Sequence, residues 1–168
     1  MQQKSPQWAV ERSIPIPAQI TEIVGSLPEW FGLPEANQEY IDAARTKETW
    51  IVAKGARIVG AALVDHHFPH VTELYFMAVH RDHLGQGAGT ALINTIEANA
   101  LSRGVKLLEV KTLGASHPDE GYAKTRRFYE KVGFLPLEET DLWGHDNPCL
   151  IMIKSLSTPP SHTRHEAY

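Results

Sequence analysis

Apolar and polar positions along this chain alternate in two periods, and the changes from one to the other mark its elements. Residues 8–14 read as a short strand. Pro17 then opens an amphipathic segment with Ile20, Ile23, Val24 and Leu27 at helical spacing, and Pro28, which cannot continue a helix, stops it. A second helix is predicted over residues 35–45, after the turn-like Gly32 to Pro34, with the aromatic pair Trp30 and Phe31 at the joint. Residues 50–53 and 58–64 are strand-like and separated by Lys54 and Gly55, which predicts an antiparallel hairpin. In the next strand, 73–79, strict alternation puts Glu73, Tyr75, Met77 and Val79 on one face and Leu74, Phe76 and Ala78 on the other. Both faces are largely apolar, as in a central strand.

From Gly89 the period turns helical. Leu92, Ile96 and Ala100 lie four residues apart, Arg103 suits the last turn and Gly104 the C-terminal cap. A buried strand over 106–112, a helix over 122–132 ended by Gly133, and closing strands over 134–137 and 148–154 complete an α/β pattern. Residues 156–168 are polar, proline-containing and aperiodic, so the expected division is a domain over 1–155 and a flexible tail beyond it.

Composition narrows the class. At 168 residues the chain fits one domain with a single core. Its 42% apolar and 21% charged residues are an ordinary balance, and no apolar run approaches the roughly 18 residues of a membrane-spanning helix. The first residues lack the basic and apolar regions of a secretory signal, so the cytoplasm is the expected location. Cys149 is the single cysteine, which excludes an internal disulfide and reads as a buried apolar thiol. A net charge of -4 offers no basic field for nucleic acid and mildly favours a cationic substrate.

The most informative stretch joins the central strand to the long helix: HRDHLGQGAGTAL, with Gly85, Gly87 and Gly89 at alternate positions where the helix begins. Glycines allow close approach and positive φ, and the first free N–H groups of a helix attract an anion, so a pyrophosphate suits this turn. A dinucleotide fingerprint would need glycine in place of Thr90, and a Walker loop would need a GK[ST] ending. A strand ending AVHRDH, then LGQGAGTALI, then TRRFYEKVGF resembles the GNAT superfamily of acetyl-CoA-dependent N-acetyltransferases over residues 50–134.

That resemblance implies a single-domain α/β fold, with a mixed, mostly antiparallel sheet of six to seven strands flanked by about four helices. It implies acetyl-CoA as acyl donor, its pyrophosphate cradled by the backbone of Leu84, Gly85, Gln86, Gly87, Ala88, Gly89 and Thr90. The pantetheine arm is expected along Met77, Ala78 and Val79, where the strand splays from its neighbour and a backbone N–H polarises the acetyl carbonyl. Tyr122 and Phe128 are further cofactor contacts by the same resemblance. Three positions depart from the family pattern: Leu84 stands where Arg or Gln is usual, and Tyr122 and Thr125 where many members have Asn and Ala.

Acetyl transfer to an amine needs a free lone pair, a polarised thioester and a proton for the leaving thiolate. By the resemblance Glu73 is the expected base, acting through a water, and Tyr129 in FYEKVGF the expected acid. His66, His67 and Glu39 are reserve bases. The acceptor is expected against Trp30, Phe31, His66 and His67, and against the 141–148 loop with Trp143, His145 and Asn147. The histidines of DHHFPH are expected at a turn between strands with no second ligand cluster, so no metal is assigned. The expectation is direct transfer in a ternary complex to a primary amine, most simply of a small molecule, by a homodimer. A protein or peptide amine as acceptor, and a non-catalytic acyl-CoA-binding module, are the alternatives.

Overall fold

The computed structural model describes residues 8–157. The chain runs β1 (Ala9–Ser13), α1 (Pro17–Gly25), α2 (Pro34–Ala43), β2 (Glu48–Lys54), β3 (Arg57–Phe68) and β4 (Val71–Val79). After a 3-10 turn (Arg81–His83) follow α3 (Ala88–Ser102), β5 (Leu107–Leu113), α4 (Glu120–Lys131), β6 (Leu135–Thr140) and β7 (Cys149–Ser155). The seven strands form one sheet in the order β1-β2-β3-β4-β5-β7-β6, antiparallel everywhere except between β4 and β5. Among the described residues no helix is long and apolar enough to cross a membrane.

Local chemistry sets the helix ends. Pro17 and Pro34 sit in the first turns of α1 and α2, where a missing N–H costs nothing. Asp119 caps α4 by accepting from the Tyr122 N–H at 2.9 Å. The chain leaves α3 through Gly104 and α4 through Gly133, both at positive φ.

Each sheet face carries its own core. On one face α3 and α4 bury Leu92, Ile93, Ile96 and Tyr129 against Val59, Leu74, Val110 and Met152. On the other, α1 and the α1–α2 joint bury Ile20, Ile23 and Val24 against Ile51, Leu63, Phe76 and Ala78. Leu156, which the sequence pattern places in the tail, belongs to the first core and donates its N–H to the Lys106 carbonyl at 2.8 Å. The packed body therefore extends past residue 155. The rest of the tail, 158–168, lies outside the described residues.

Two bulges between β3 and β4 correct the alternation read from sequence. Leu63 pairs with Phe76 but Val64 pairs with Leu74, so Tyr75 is an extra residue in β4. The inserted residue turns Leu74 to the α3 side with Met77 and Val79, and leaves Glu73 on the opposite side with Phe76 and Ala78. At the far end His66 pairs with Thr72 and Phe68 with Val71, so His67 is an extra residue in β3. His66 and His67 therefore lie on a strand rather than in the turn expected of them, and they point to opposite faces.

Candidate active site

β4 and β5 are paired only from Val71 with Leu107 to Leu74 with Val110. Beyond that vertex they part: residues 75–79 of β4 have no β5 partner, while β5 stays paired with β7 to Leu113. A cleft so made presents unpaired backbone amides and carbonyls along one wall, which an extended ligand with amide groups can satisfy.

The glycine turn stands at the open end of this cleft. Gly85 and Gly87 adopt φ of 69° and 91°, a region closed to other residues without strain. Gly87 is the N-cap of α3 and no side chain caps the helix; the first i to i-4 bond runs from the Ala91 N–H to the Gly87 carbonyl. The amides of Ala88, Gly89 and Thr90 thus precede the first intrahelical bond and are left for an external anion. A Cβ at Gly89 would lie 3.2 Å from Phe128 Cζ and 3.8 Å from Met77 Cε, so both side chains close on the first turn of α3. Leu84 is 42% exposed and adds no charge. Trp8, which sequence reasoning passed over, donates its indole N–H to the Gln86 carbonyl at 3.0 Å and braces the turn.

At the vertex, on the face away from α3, four charged or titratable side chains converge. Glu73 is 5% exposed. One of its oxygens accepts from Lys111 Nζ at 2.9 Å and the other is held by His67 Nε2. Lys111 also contacts Glu109 at 2.7 Å. Burial pulls the Lys111 pKa down, but its hydrogen bonds to Glu109 and Glu73 outweigh that and hold it above the ordinary lysine value. Ligand atoms of His67, Glu73 and Glu109 lie within 4.8 Å of one another, a cluster not visible in the sequence. The Lys111 ammonium already serves both carboxylates, which is the role a cation would take there. Lys111 and Glu109 left only a faint signal: two charges alternating with Leu108, Val110 and Thr112 in a strand otherwise read as buried.

The remaining expected site residues are dispersed. His66 faces away from Glu73 and contacts Thr72 and Glu48 at 3.0 and 3.1 Å. Tyr129 is buried between Phe128 and Phe134, and its hydroxyl bonds to no described residue. Burial raises its pKa well above the ordinary tyrosine value, so the phenol stays protonated. Tyr122 is pushed up to about 12, mainly by burial, and donates to the Trp30 carbonyl at 2.7 Å. The Trp30 indole in turn donates to Thr125 at 3.1 Å, which fastens the α1–α2 joint to α4. Phe31 packs against Tyr40 and Phe76. Trp143 is exposed on the β6–β7 loop.

A split parallel strand pair with an uncapped, glycine-opened helix at its mouth makes a cleft in an α/β fold that can hold an extended ligand with an anionic group. The chain belongs to the acetyltransferase (GNAT) family, whose model matches residues 18–134. That family uses acetyl-CoA. It is 26% identical over 139 residues to the amino-acid acetyltransferase of Yersinia pseudotuberculosis, a match covering 82% of this chain and 30% of that protein. The chain thus spans about a third of the length of the curated relatives it matches. In fold it is similar to a GNAT-family acetyltransferase from Desulfovibrio desulfuricans, with a TM-score of 0.72, 21% identity, and coverage of 90% and 100% of the two chains. It is also similar to a GNAT-family acetyltransferase from Elizabethkingia anophelis with acetyl-CoA bound, with a TM-score of 0.66, 17% identity, and coverage of 89% and 98%.

Proposed function

We propose that this protein transfers the acetyl group of acetyl-CoA to a primary amine of a small molecule, directly and with both substrates bound together. The observation that carries this is the alignment of the uncapped α3 N-terminus with the split between β4 and β5, which offers anion-binding amides and an unpaired strand edge in one cleft. The fit to acetyl-CoA is a chemical one: the free amides of Ala88, Gly89 and Thr90 suit its pyrophosphate, and the edge of β4 at Met77, Ala78 and Val79 suits the amide-bearing pantetheine arm. Phe128 on α4, beside Gly89, and Tyr122 six positions earlier on the same helix are assigned as further contacts of the arm. When bound, acetyl-CoA supplies the acetyl group as a thioester.

The chain's own residues then divide the work. A backbone N–H of the Met77–Ala78 region polarises the acetyl carbonyl. Tyr129, neutral and buried, gives its proton to the departing sulfur. Glu73 provides the negative charge on which removal of the amine's proton depends. A small acceptor is supported by the likeness to amino-acid acetyltransferases, and by the open groove of about 570 Å³ bounded by His67, Phe68, Val71, Glu109 and Lys111, a size ordinary for small-molecule sites.

Calorimetric titration of acetyl-CoA tests the cofactor half without knowledge of the acceptor. Binding in the micromolar range, lost in Gly87→Glu through clash and like charge, is expected. Failure of the wild type to bind at millimolar acetyl-CoA would overturn the reading. For any amine that the wild type acetylates, Tyr129→Phe should lower kcat by about 10- to 100-fold with little change in acetyl-CoA affinity, and an unchanged kcat would remove Tyr129 as the acid.

A further inference from the structure

Glu73 is badly placed to meet an acceptor itself. Its carboxylate is buried, with one oxygen accepting from Lys111 and the other engaged by His67. His67 has the access that Glu73 lacks: its side chain is 40% exposed and it borders the groove at the vertex together with Phe68, Val71, Glu109 and Lys111. It has that position because it is the bulged residue of β3, and a bulge re-aims the side chain it carries, here onto Glu73. A carboxylate that faces Nε2 accepts a hydrogen bond there, so the neutral ring carries its proton on Nε2 and leaves a lone pair on Nδ1. Nδ1 bonds to no described residue. A buried carboxylate behind an exposed imidazole fixes the tautomer and stabilises the imidazolium that forms.

We propose that His67 takes the proton of the acceptor amine through Nδ1, and that Glu73, backed by Lys111, is a positioning residue acting through it. The inference rests on the acetyltransfer reading and deepens it by moving one role from Glu73 to His67. The protons balance. The acceptor ammonium gives one proton to Nδ1, and His67 passes it to water. The freed nitrogen forms the C–N bond as the thioester C–S bond breaks. The second proton leaves the nitrogen as Tyr129 donates to sulfur and is restored, so the products are the N-acetyl amine, the free thiol of CoA and one proton. The charged groups around His67 are Glu73 from β4, Glu109 and Lys111 from β5, Asp65 from its own strand, which is paired with Lys47, and Arg103, which lines a neighbouring pocket with it.

The test uses the full chain, acetyl-CoA and a panel of primary amines, with thiol release as the signal. His67→Ala and His67→Gln should lower kcat/KM for the amine by about 100-fold or more while leaving acetyl-CoA affinity within about twofold. Added imidazole should restore part of the activity of His67→Ala, which a purely structural role would not allow. Ring-nitrogen NMR should report the Nε2–H tautomer of His67 in the wild type and its loss in Glu73→Gln. Wild-type kcat/KM in either His67 variant, a loss that imidazole does not relieve, or an Nδ1–H tautomer at rest would overturn the proposal and leave the acetyltransfer reading standing. Failure of the wild type to bind acetyl-CoA would overturn both.

Discussion

Lys111→Met removes the cation that joins Glu73 and Glu109 at the vertex and exposes what it does. The ammonium lies 2.9 Å from Glu73 and 2.7 Å from Glu109, and the three side chains are 20%, 7% and 17% exposed. Removing one partner of a fully buried ion pair costs about 3–5 kcal/mol, because the other charge is left uncompensated. Here two carboxylates are left facing each other, which adds to the cost, but the groove admits solvent, which reduces it. A destabilisation of about 2–3 kcal/mol follows, or about 5–10 °C in Tm for a chain of this length.

The pH dependence separates a charge effect from lost packing. Lys111 holds its proton more tightly folded than unfolded, because its bonds to Glu109 and Glu73 outweigh its desolvation. The stability it contributes is therefore complete below the unfolded lysine value, about 10.4, and is lost as pH rises through the raised folded value. The gap between wild type and Lys111→Met should be level from about pH 7 to 9 and narrow above about pH 10. Urea unfolding followed by circular dichroism at three pH values measures this. Adding Glu109→Gln to Lys111→Met should recover a large part of the loss, since the two residues are in contact and their effects do not add. A deficit below about 0.5 kcal/mol at neutral pH, within the ordinary range for surface substitutions, would refute the assignment of Lys111 as the counter-ion.

Thr112 is buried in β5 and its hydroxyl has no hydrogen-bond partner among the described residues. The isosteric Thr112→Val should therefore stabilise the chain by about 1 kcal/mol, and a lower melting temperature would show that the hydroxyl is bonded after all. Tyr122 titrates at about 12 when folded, above the ordinary 10.0, so the folded chain keeps a proton that the unfolded chain releases and stability falls as pH rises from 10 towards 12. Tyr122→Phe should cost about 1 kcal/mol near neutrality through loss of the bond to the Trp30 carbonyl, and should flatten the alkaline fall. Parallel stability curves for the two proteins at alkaline pH would contradict this.

The periodic elements were legible because each carries its own signal. α3 has a four-residue apolar repeat between a glycine turn and a glycine cap, and β4 has two apolar faces. The turn was legible because Gly85, Gly87 and Gly89 stand just where a helix begins, and the first two take positive φ. The course of α1, the joint and α2 was equally open to reading, since prolines punctuate both helices.

The vertex was hidden for a different reason, and the reason is the bulges. Strict alternation puts Glu73 on the face of Met77 and Val79, where it would point into the apolar core beneath α3. One extra residue at Tyr75 shifts the phase and sends Glu73 to the other side of the sheet, where Lys111 meets it from 38 positions further along the chain. Neither composition nor spacing marks an inserted residue in an apolar strand, because Tyr75 is a good strand former in either phase. The same holds for His67, which reaches Glu73 because it is itself the inserted residue of the second bulge, four positions before β4 begins. A family pattern reads residue types at fixed intervals along the chain, so it singles out Glu73 on β4 and Tyr129 on α4 as candidates. It passes over His67 and Lys111, which belong to the vertex only through pairing between strands.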